Sequence, residues 1–542
     1  MLRNYQDPGG NAWNCGDDAR NDRAGACVYG SGTRDIFYRG LGKDNQVEVS
    51  KGSKRIVWQC SHLGGRLMTL TGDVVMGKDT VRIPDHVFRE YDIRGVVDKD
   101  LTREFVYMLG KALGRLYVSE KVRAVAVGRD ARASSPGFRD EIVRGLLESG
   151  IDVYDIGLVP TPVLYYALFN LDVGGGVMIT GSHNPPNENG FKICFGKSTI
   201  FGQAIKDIRD IMVREDFVFG EEGTCVSVSL NEKYVNEVCE DLRIQPGARR
   251  IKVVVDAGNG TGNIVGPDLY RCMGHDVIEL YSEPDPTFPH HHPDPTVREN
   301  LDDLIRKMLE EDAEVGIAFD GDADRIGVVT GEGDILWGDQ LLIIFARDIL
   351  SRQPGSKIIG EVKCSEALFA EIEKAGGKPI MWRVGHSLIK AKLKEEEAAL
   401  AGEMSGHLFF ADRYYGYDDA IYAGARLIEL LSRSDKSLQE VADTLPTMYN
   451  TPEIRLECPE ELKQAVVEQI AAHFSEDFDV HRIDGVRIKF PHGWGLVRAS
   501  NTQPVLVLRF EAATPEHLEE ISTAVHRKVD EALDALREKP RS

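Results

Sequence analysis

The segment "VRAVAVGRDARASSPGFRDEIVRGLLESGIDVYDIG", residues 122–157, reads as a β-branched strand, a small polar turn, an amphipathic helix, a glycine and a second strand. The same order returns in "IKVVVDAGNGTGNIVGPDLYRCMGHDVIEL" at 251–280 and in "SKIIGEVKCSEALFAEIEKAGGKPIMW" at 356–382. Strand, helix and strand in this order form a βαβ unit, and such units build parallel sheets covered by helices. The repetition predicts an α/β protein of three related domains with mixed, mainly parallel sheets. After "TPEIRLECP" the pattern changes to strand, helix ("EELKQAVVEQIAAHF"), at least two strands and a terminal helix from 515 to about 537. That order predicts a C-terminal α+β domain on an antiparallel sheet.

The expected boundaries are 81–230, 231–337, 338–449 and 450–542 for the four domains. Residues 1–80, typified by "GNAWNCGDDARNDRAGACVYGSG", show neither a helical nor a strand period. They are expected to be a disordered extension, or a start placed too early with Met68 or Met76 as the natural beginning.

Composition narrows the function. The 542 residues are 42% hydrophobic and 28% charged, which fits a soluble globular protein of several domains. A net charge of -22 with a sequence pI near 5.2 argues against a nucleic-acid or anionic-membrane partner, because no basic footprint exists. Any anionic ligand must be held by local cations. The 9 cysteines include no C-x-x-C pair, so neither a disulfide framework nor a thiolate zinc site is indicated, and a reducing compartment is expected. "MLRNYQDPGG" lacks the order of a signal peptide and "LLIIF" is too short to span a bilayer, so the expected location is the cytoplasm.

In open α/β sheets ligands sit beyond the carboxyl ends of strands. The loops that follow "GGGVMIT", "EVGIAF" and "AALA" are Gly181-Ser182-His183-Asn184-Pro185-Pro186, Asp320-Gly321-Asp322-Ala323-Asp324-Arg325 and Gly402-Glu403-Met404-Ser405-Gly406-His407. In the second, carboxylates at alternate positions converge on one hard cation with open sites for water or phosphate oxygen, which suits Mg²⁺. An EF-hand fails, since its sixth position would be Arg325 and its twelfth Gly331. A solvated acidic turn is disfavoured by the apolar strand before it. Arg325 beside the acids is placed for a phosphate on the same metal.

Ser182 has no G-x-S-x-G surround, and adjacent side chains diverge, so a triad with His183 is not expected. Pro185 and Pro186 stiffen the loop and Gly181 allows close approach, which presents one hydroxyl at a defined point. A turn or N-cap serine is the alternative. A rigid hydroxyl near a metal is what phosphoryl transfer requires. "GFKICFGKS" is not a P-loop, because five residues stand where four are needed. Lys192 is the cation nearest to Ser182 in sequence, or else a solvated lysine at a strand start. In the tail, Arg498-Ala-Ser500-Asn501-Thr502 with Arg509 on the next strand offers a metal-free clamp for a phosphate dianion. His290-His291-His292 lack the helical spacing of a zinc site and are expected to be structural.

From Pro84 to the C terminus, "FREYDIRG", "TGSHNPPNENGFKI", "DGDADR", "GHSLIK", "GEMSGH" and "RASNTQPVLVLRFEA" occur in one order, and on these motifs the chain resembles the α-D-phosphohexomutase superfamily. The resemblance implies a central cleft between the domains. Ser182 would carry a phosphoryl group and, with Asp320, Asp322 and Asp324, hold one Mg²⁺. Hexose phosphates would interconvert between O1 and O6 through a hexose 1,6-bisphosphate. Glu403 and Ser405, with His407, would meet the sugar, while Arg498, Ser500, Asn501, Thr502 and Arg509 grip the distal phosphate. Tyr91 and Arg94 would lie near the cleft mouth and the phosphoserine, and Lys363, Gly385 and His386 would contact substrate. Lys192 or His386 is the expected general acid or base, with Arg325 and Arg94 among the catalytic cations. A monomer closing its C-terminal domain onto substrate is expected. Ala323 stands where many relatives have glycine, which leaves the ligands in place.

Three rivals remain. Phosphoglucosamine mutases of this superfamily usually carry Gln where this chain has Met404. A metal-dependent phosphatase would need no second phosphate anchor. A catalytically silent sensor would lack the serine or one of the acids, and both are present.

Overall fold

The computed structural model describes residues 81–245, 247–500 and 503–537, with only the backbone of short strands before residue 81. Met1–Thr80 is a unit separate from Val81–Ser542. The expectation for residues 1–80 lies outside the described residues.

The quoted opening segment folds as read, with the Ala124–Arg129 strand, the Ser135–Glu148 helix and the Asp152–Leu158 strand. Ala124–Arg129 is the buried centre of its sheet, which explains its nearly unbroken apolar run. Parallel partners on its two sides are Asp152–Leu158 and Gly175–Ile179. Glu188–Phe195 then runs antiparallel to Gly175–Ile179 and carries Ile93–Val96. The second sheet orders Asp276–Leu280, Lys252–Asp256, Val315–Phe319, Ile326–Thr330 and Ile335–Leu336, with the last two pairings antiparallel. In the third, Lys378–Trp382, Lys357–Glu361 and Leu400–Gly402 are parallel and Leu408–Phe410 closes antiparallel. Every pairing in the fourth, built on Gly493–Ala499 and Val505–Ala512, is antiparallel. The α/β plus α+β class is therefore the observed one.

One apolar core runs through the first three sheets, taking in Leu164, Val253, Ile317, Leu342, Ile358 and Tyr422. The fourth sheet has a core of its own, with Val466, Ile488, Leu508 and Val525. The contact between these bodies combines an apolar cluster, Val362 with Trp494 and Leu496, with polar bonds. Arg487 donates to the carbonyls of Val362 and Cys364 at 2.6 and 2.8 Å and lies 3.8 Å from the Trp494 ring.

The cysteine reading is corrected in one respect. Cys239 and Cys272, 33 residues apart, are joined as a disulfide where the Asn231–Leu242 and Gly266–Met273 helices pack. Sequence spacing carried no hint of it, because the pairing is made by helix packing. Among the described residues no helix is long and apolar enough to cross a membrane.

Candidate active site

Six functional loops leave the carboxyl ends of strands: Ser182 after Ile179, Asp320 after Phe319, Lys363 after Glu361, Gly385 after Trp382, Glu403 after Gly402, and Ser500 after Ala499. Ser182 is 2% exposed, and its hydroxyl donates to Asp320 Oδ2 at 2.8 Å. The serine backbone is left-handed, with φ of 49°. That conformation costs on the order of 1 kcal/mol for a residue with a Cβ and persists only where surroundings hold it.

Arg132 is what holds it. This buried guanidinium donates to the carbonyls of Ser182, Asn184, Pro185 and Glu188 at 2.8, 2.6, 2.6 and 2.9 Å, with Asp130 at 3.2 Å behind it. Asp130 also takes the Gly181 amide at 3.1 Å. Gly321 of the acidic loop approaches so closely that a Cβ there would lie 2.5 Å from the Ser182 carbonyl. The glycine is therefore required for the two loops to meet.

The left-handed turn also overturns one expectation. Ser182 Oγ and His183 Nδ1 are 3.1 Å apart, because the positive φ swings neighbouring side chains to the same side. No triad follows, since the acid near this pair, Asp320, faces the same Nδ1 at 3.9 Å rather than the far ring nitrogen. Burial first, then the Arg325 and Arg94 charges, push the His183 imidazole well below its usual range. The histidine loop, expected to be structural, touches the site. His291 pairs with Asp256 at 2.9 Å, His292 bonds the His183 carbonyl, and Phe288 covers Arg132 at 5.4 Å.

Asp320, Asp322 and Asp324 are wholly buried and present oxygens within 4.8 Å of one another. Asp322 Oδ1 and Asp324 Oδ1 have no hydrogen-bond partner among the described residues. Lys192, 3% exposed, pairs with Asp322 at 2.7 Å and with Asp324, which removes the solvated-lysine reading. Thr161 donates to Asp322 at 2.6 Å. Burial and the two neighbouring carboxylates raise Asp320 well above the usual range, while on Asp322 and Asp324 burial is outweighed, chiefly by the Lys192 charge. With Lys192 in contact and the Arg325 and Arg94 charges close by, two carboxylate oxygens of the group still stand unpartnered among the described residues. Unpartnered carboxylate oxygens converging on one point fit a hard divalent cation such as Mg²⁺. Ala323 lies at φ 57°, a left-handed position where glycine would relieve strain.

Arg94 donates to Asp92 and Asn184 at 2.6 and 2.8 Å and so borders the serine loop. Arg325 Nε meets His407 Nε2 at 3.0 Å. A guanidinium only donates, so Nε2 accepts and the proton sits on Nδ1, facing Asp418 at 3.4 Å and Asp324 at 3.6 Å. Asp418, absent from the sequence reading, is a hub. It is buried and pairs with His386 at 3.3 Å and Lys390 at 2.6 Å as well. The polar contacts of His386 are with Asp418 and Lys390, and its ring stacks on that of His407 at 5.4 Å. It is not brought onto Ser182 or the three acids in any contact among the described residues.

Glu403 takes the Gly385 amide at 2.7 Å, with Ser405 half-buried in the same turn. Tyr91 donates to the Val384 carbonyl at 2.8 Å, and Gly385, at φ 129°, leaves room for the Tyr91 ring. From the tail, Arg498 meets Asp484 at 3.2 Å, and Asp484 takes the Val384 amide at 3.1 Å. Lys363 pairs with Glu453 at 3.2 Å. Ser500 Oγ accepts the Gln503 amide at 3.2 Å, while Lys463 holds the Ser500 carbonyl at 2.6 Å. Asn501 and Thr502 lie outside the described residues. Arg509 is set back from the others, against the Lys363 carbonyl, Met404 and Asp339.

A stiff hydroxyl on a buried carboxylate triad, carried on an α/β scaffold, is an arrangement of the phosphoryl-transfer kind. Family models for phosphoglucomutase/phosphomannomutase match it throughout: α/β/α domain I at residues 85–219, domain II at 232–333, domain III at 337–449 and the C-terminal domain at 453–528. The chain belongs to the phosphoglucomutase/phosphomannomutase family. It is 47% identical over 455 residues to the phosphomannomutase/phosphoglucomutase of Pseudomonas aeruginosa, covering 84% of this chain and 97% of that one. It is 45% identical over 439 residues to the phosphoglucomutase of Neisseria gonorrhoeae, covering 80% and 95%. A crystal structure of a phosphoglucomutase/phosphomannomutase family protein from Burkholderia thailandensis matches with a TM-score of 0.79 and 41% identity, over 83% of this chain and 98% of that one.

Proposed function

We propose that the protein is a phosphomannomutase/phosphoglucomutase that moves a phosphoryl group between O1 and O6 of mannose and glucose phosphates. The observation that carries this is the Ser182 hydroxyl 2.8 Å from Asp320 within the buried carboxylate group. Ser182, phosphorylated in the resting enzyme, gives its phosphoryl group to the free O1 or O6 hydroxyl of a bound hexose monophosphate. The bond from phosphorus to Oγ breaks as the bond to the sugar oxygen forms, and the sugar hydroxyl proton passes to a base; His386 is one candidate, and Lys192, an ammonium on Asp322 and Asp324, can take that part only after giving up its own proton and otherwise serves as the acid. The resulting 1,6-bisphosphate turns over in the cleft and returns its other phosphoryl group to Ser182. Mg²⁺ held by Asp320, Asp322 and Asp324 would supply charge neutralisation on the phosphoryl oxygens.

The remaining residues act by binding and orientation. Arg94, which borders the serine loop, and Arg325, which follows the three acids, stabilise charge on the transferring group. Glu403, Ser405 and His407 hold the sugar hydroxyls, with Tyr91, Lys363 and Gly385 at the cleft wall. Arg498, Ser500, Asn501, Thr502 and Arg509 anchor the phosphate that does not react, and this remote binding orients the reactive end. A hydroxyl that serves as donor and then acceptor needs a stiff mount more than it needs a triad.

A coupled assay of glucose 1-phosphate and mannose 1-phosphate, with and without trace hexose 1,6-bisphosphate, tests the reading. Turnover of both sugars, stimulated by the bisphosphate, is expected. Activity on glucosamine 6-phosphate exceeding that on mannose and glucose phosphates would favour a phosphoglucosamine mutase, and stoichiometric release of inorganic phosphate would favour a phosphatase.

Two substitutions separate the halves of the site. Asp322→Asn removes a negative charge from the cation group, so the Mg²⁺ concentration for half-maximal rate should rise at least about tenfold, or activity should vanish. An unchanged Mg²⁺ titration would remove Asp322 from the ligand set. Arg498→Ala loses a charge-assisted contact of about 1.5–3 kcal/mol, so KM for glucose 1-phosphate should rise on the order of 10- to 100-fold with the Mg²⁺ dependence unmoved. A KM within twofold of wild type would dismiss the clamp.

A further inference from the structure

In the third sheet the Lys357–Glu361 strand lies between Lys378–Trp382 and Leu400–Gly402. Its parallel ladder with Leu400–Gly402 stops at the pair Gly360 and Gly402, and the next residue along each strand is a glutamate, Glu361 and Glu403. Where the ladder stops, the Glu361 side chain continues the connection. The Lys363 amide donates to its Oε2 at 2.5 Å and the Met404 amide to its Oε1 at 3.3 Å. Glu361 is 0% exposed, and Oε1 stands 4.0 Å from Lys363 Nζ, which pairs with Glu453 at 3.2 Å. Burying a carboxylate is costly, and here each of its oxygens is matched by a loop amide rather than by a close ion pair.

We propose that Glu361 is a positioning residue for sugar binding, whose one carboxylate holds the Lys363 loop and the Glu403–His407 turn in register. The inference rests on the reading above, in which Lys363, Glu403 and Ser405 meet the hexose. Lys363 is fixed from both sides, since its carbonyl accepts from Arg509. The 403–407 turn is fixed at its start through the Met404 amide and closed by the Gly406 amide on the Glu403 carbonyl at 3.0 Å. Glu403 Oε1 in turn takes the Gly385 amide at 2.7 Å. Release of the Met404 amide therefore moves the Glu403 carboxylate relative to Lys363.

The geometry needs an acid at this position. Two backbone N–H groups arriving from different loops require two acceptor oxygens on one planar group, and a carboxylate has both. A glutamine of the same shape has one oxygen, and its NH₂ would face the second N–H donor to donor. The shorter bond, to the Lys363 amide two residues on, would be kept, and the Met404 amide would be released.

Turnover of glucose 1-phosphate and its calorimetric Kd, measured on the full-length protein, on Glu361→Gln, on Glu403→Ala and on the double variant, test this. Glu361→Gln should fold and raise KM and Kd about tenfold, the scale of one hydrogen bond to a charged group. The Mg²⁺ concentration for half-maximal rate should stay put, since the three aspartates follow a strand of the second sheet. Because Glu361 acts through the Glu403 turn, the double variant should lie within about twofold of Glu403→Ala. Glu361→Asp is an independent second variant. It keeps the charge and can take the amide two residues on, as Asx turns do, but falls one methylene short of Met404, so the same rise and the same lack of additivity are expected. KM and Kd within twofold of wild type in both variants, losses that multiply with that of Glu403→Ala, or failure of both variants to fold would each overturn the proposal. A wild type that binds glucose 1-phosphate without isomerising it would overturn the mutase reading alone, and Kd would still decide the role of Glu361. A wild type that does not bind it would overturn both.

Discussion

Ser182→Ala is expected to lower kcat on glucose 1-phosphate by on the order of 10⁴-fold or more, because an enzyme that loses its covalent carrier keeps only binding and electrostatic assistance. At 1.36 kcal/mol per tenfold that is about 5 kcal/mol of barrier. Substrate affinity should change little, within about threefold, since the cations at Arg498, Lys363 and Arg94 stay in place. Alanine accepts the φ of 49° about as badly as serine, so the backbone gains no relief from the change. The lost hydrogen bond leaves Asp320 Oδ2 without its 2.8 Å donor, a cost of about 1–3 kcal/mol that shows in thermal unfolding. Phosphorus-labelled glucose 1,6-bisphosphate should label the wild-type enzyme and not the variant. A variant that keeps a tenth of the rate, or takes up label, would end the carrier reading.

The positions of the chemical loops were legible because each follows an apolar strand, and a strand end is a place sequence can mark. "VGIAF" before Asp320 and "GGVMI" before Thr180 are such strands. Side-chain partnerships across the fold were not legible. Arg132 sits in "GRDAR", an unremarkable polar turn, and its role appears only when four carbonyls from residues 182–188 arrive around it. Asp418 lies in "YGYDDAIYAG", where Asp419 caps the Ala420–Ser432 helix and Asp418 reads as its neighbour. Burial, which sequence does not place, raises Asp419 to about 6 against the lowering effect of hydrogen bonds from Tyr422, Tyr234 and Tyr414, while burial at Asp418 is outweighed by Lys390. The expected divergence of Ser182 and His183 failed for a backbone reason, since it assumed a negative φ. The repeated βαβ units mark the separate domains; that the first three sheets also share an apolar core is something repetition along a chain cannot report.

Arg132→Lys should fold, judged by circular dichroism and a melting temperature only a few degrees lower, and yet lose about 10²-fold in kcat. Lysine keeps the charge but replaces a planar fork with one tetrahedral ammonium of three donors. The wild-type guanidinium spends its donors on Ser182, Asn184, Pro185 and Glu188 carbonyls and faces Asp130 with Nε. One ammonium serves at most three of those five acceptors, so part of the loop is released and the left-handed turn at Ser182 loses its restraint. A misplacement of about 1 Å in a reacting group costs on the order of 10²-fold. Arg498, proposed as the distal clamp, belongs to another body, so KM should move by less than threefold, and this split distinguishes misplacement of the proposed carrier from general damage. Arg132→Met is the harsher control. It leaves Asp130 buried at 2% exposure without a cation, a change that costs about 3–5 kcal/mol, and it should unfold at distinctly lower temperature than the lysine variant. If Arg132→Lys retained more than a third of wild-type kcat, the serine turn would have to be held by its prolines and by the close approach of Gly321, and the guanidinium would be a packing element alone.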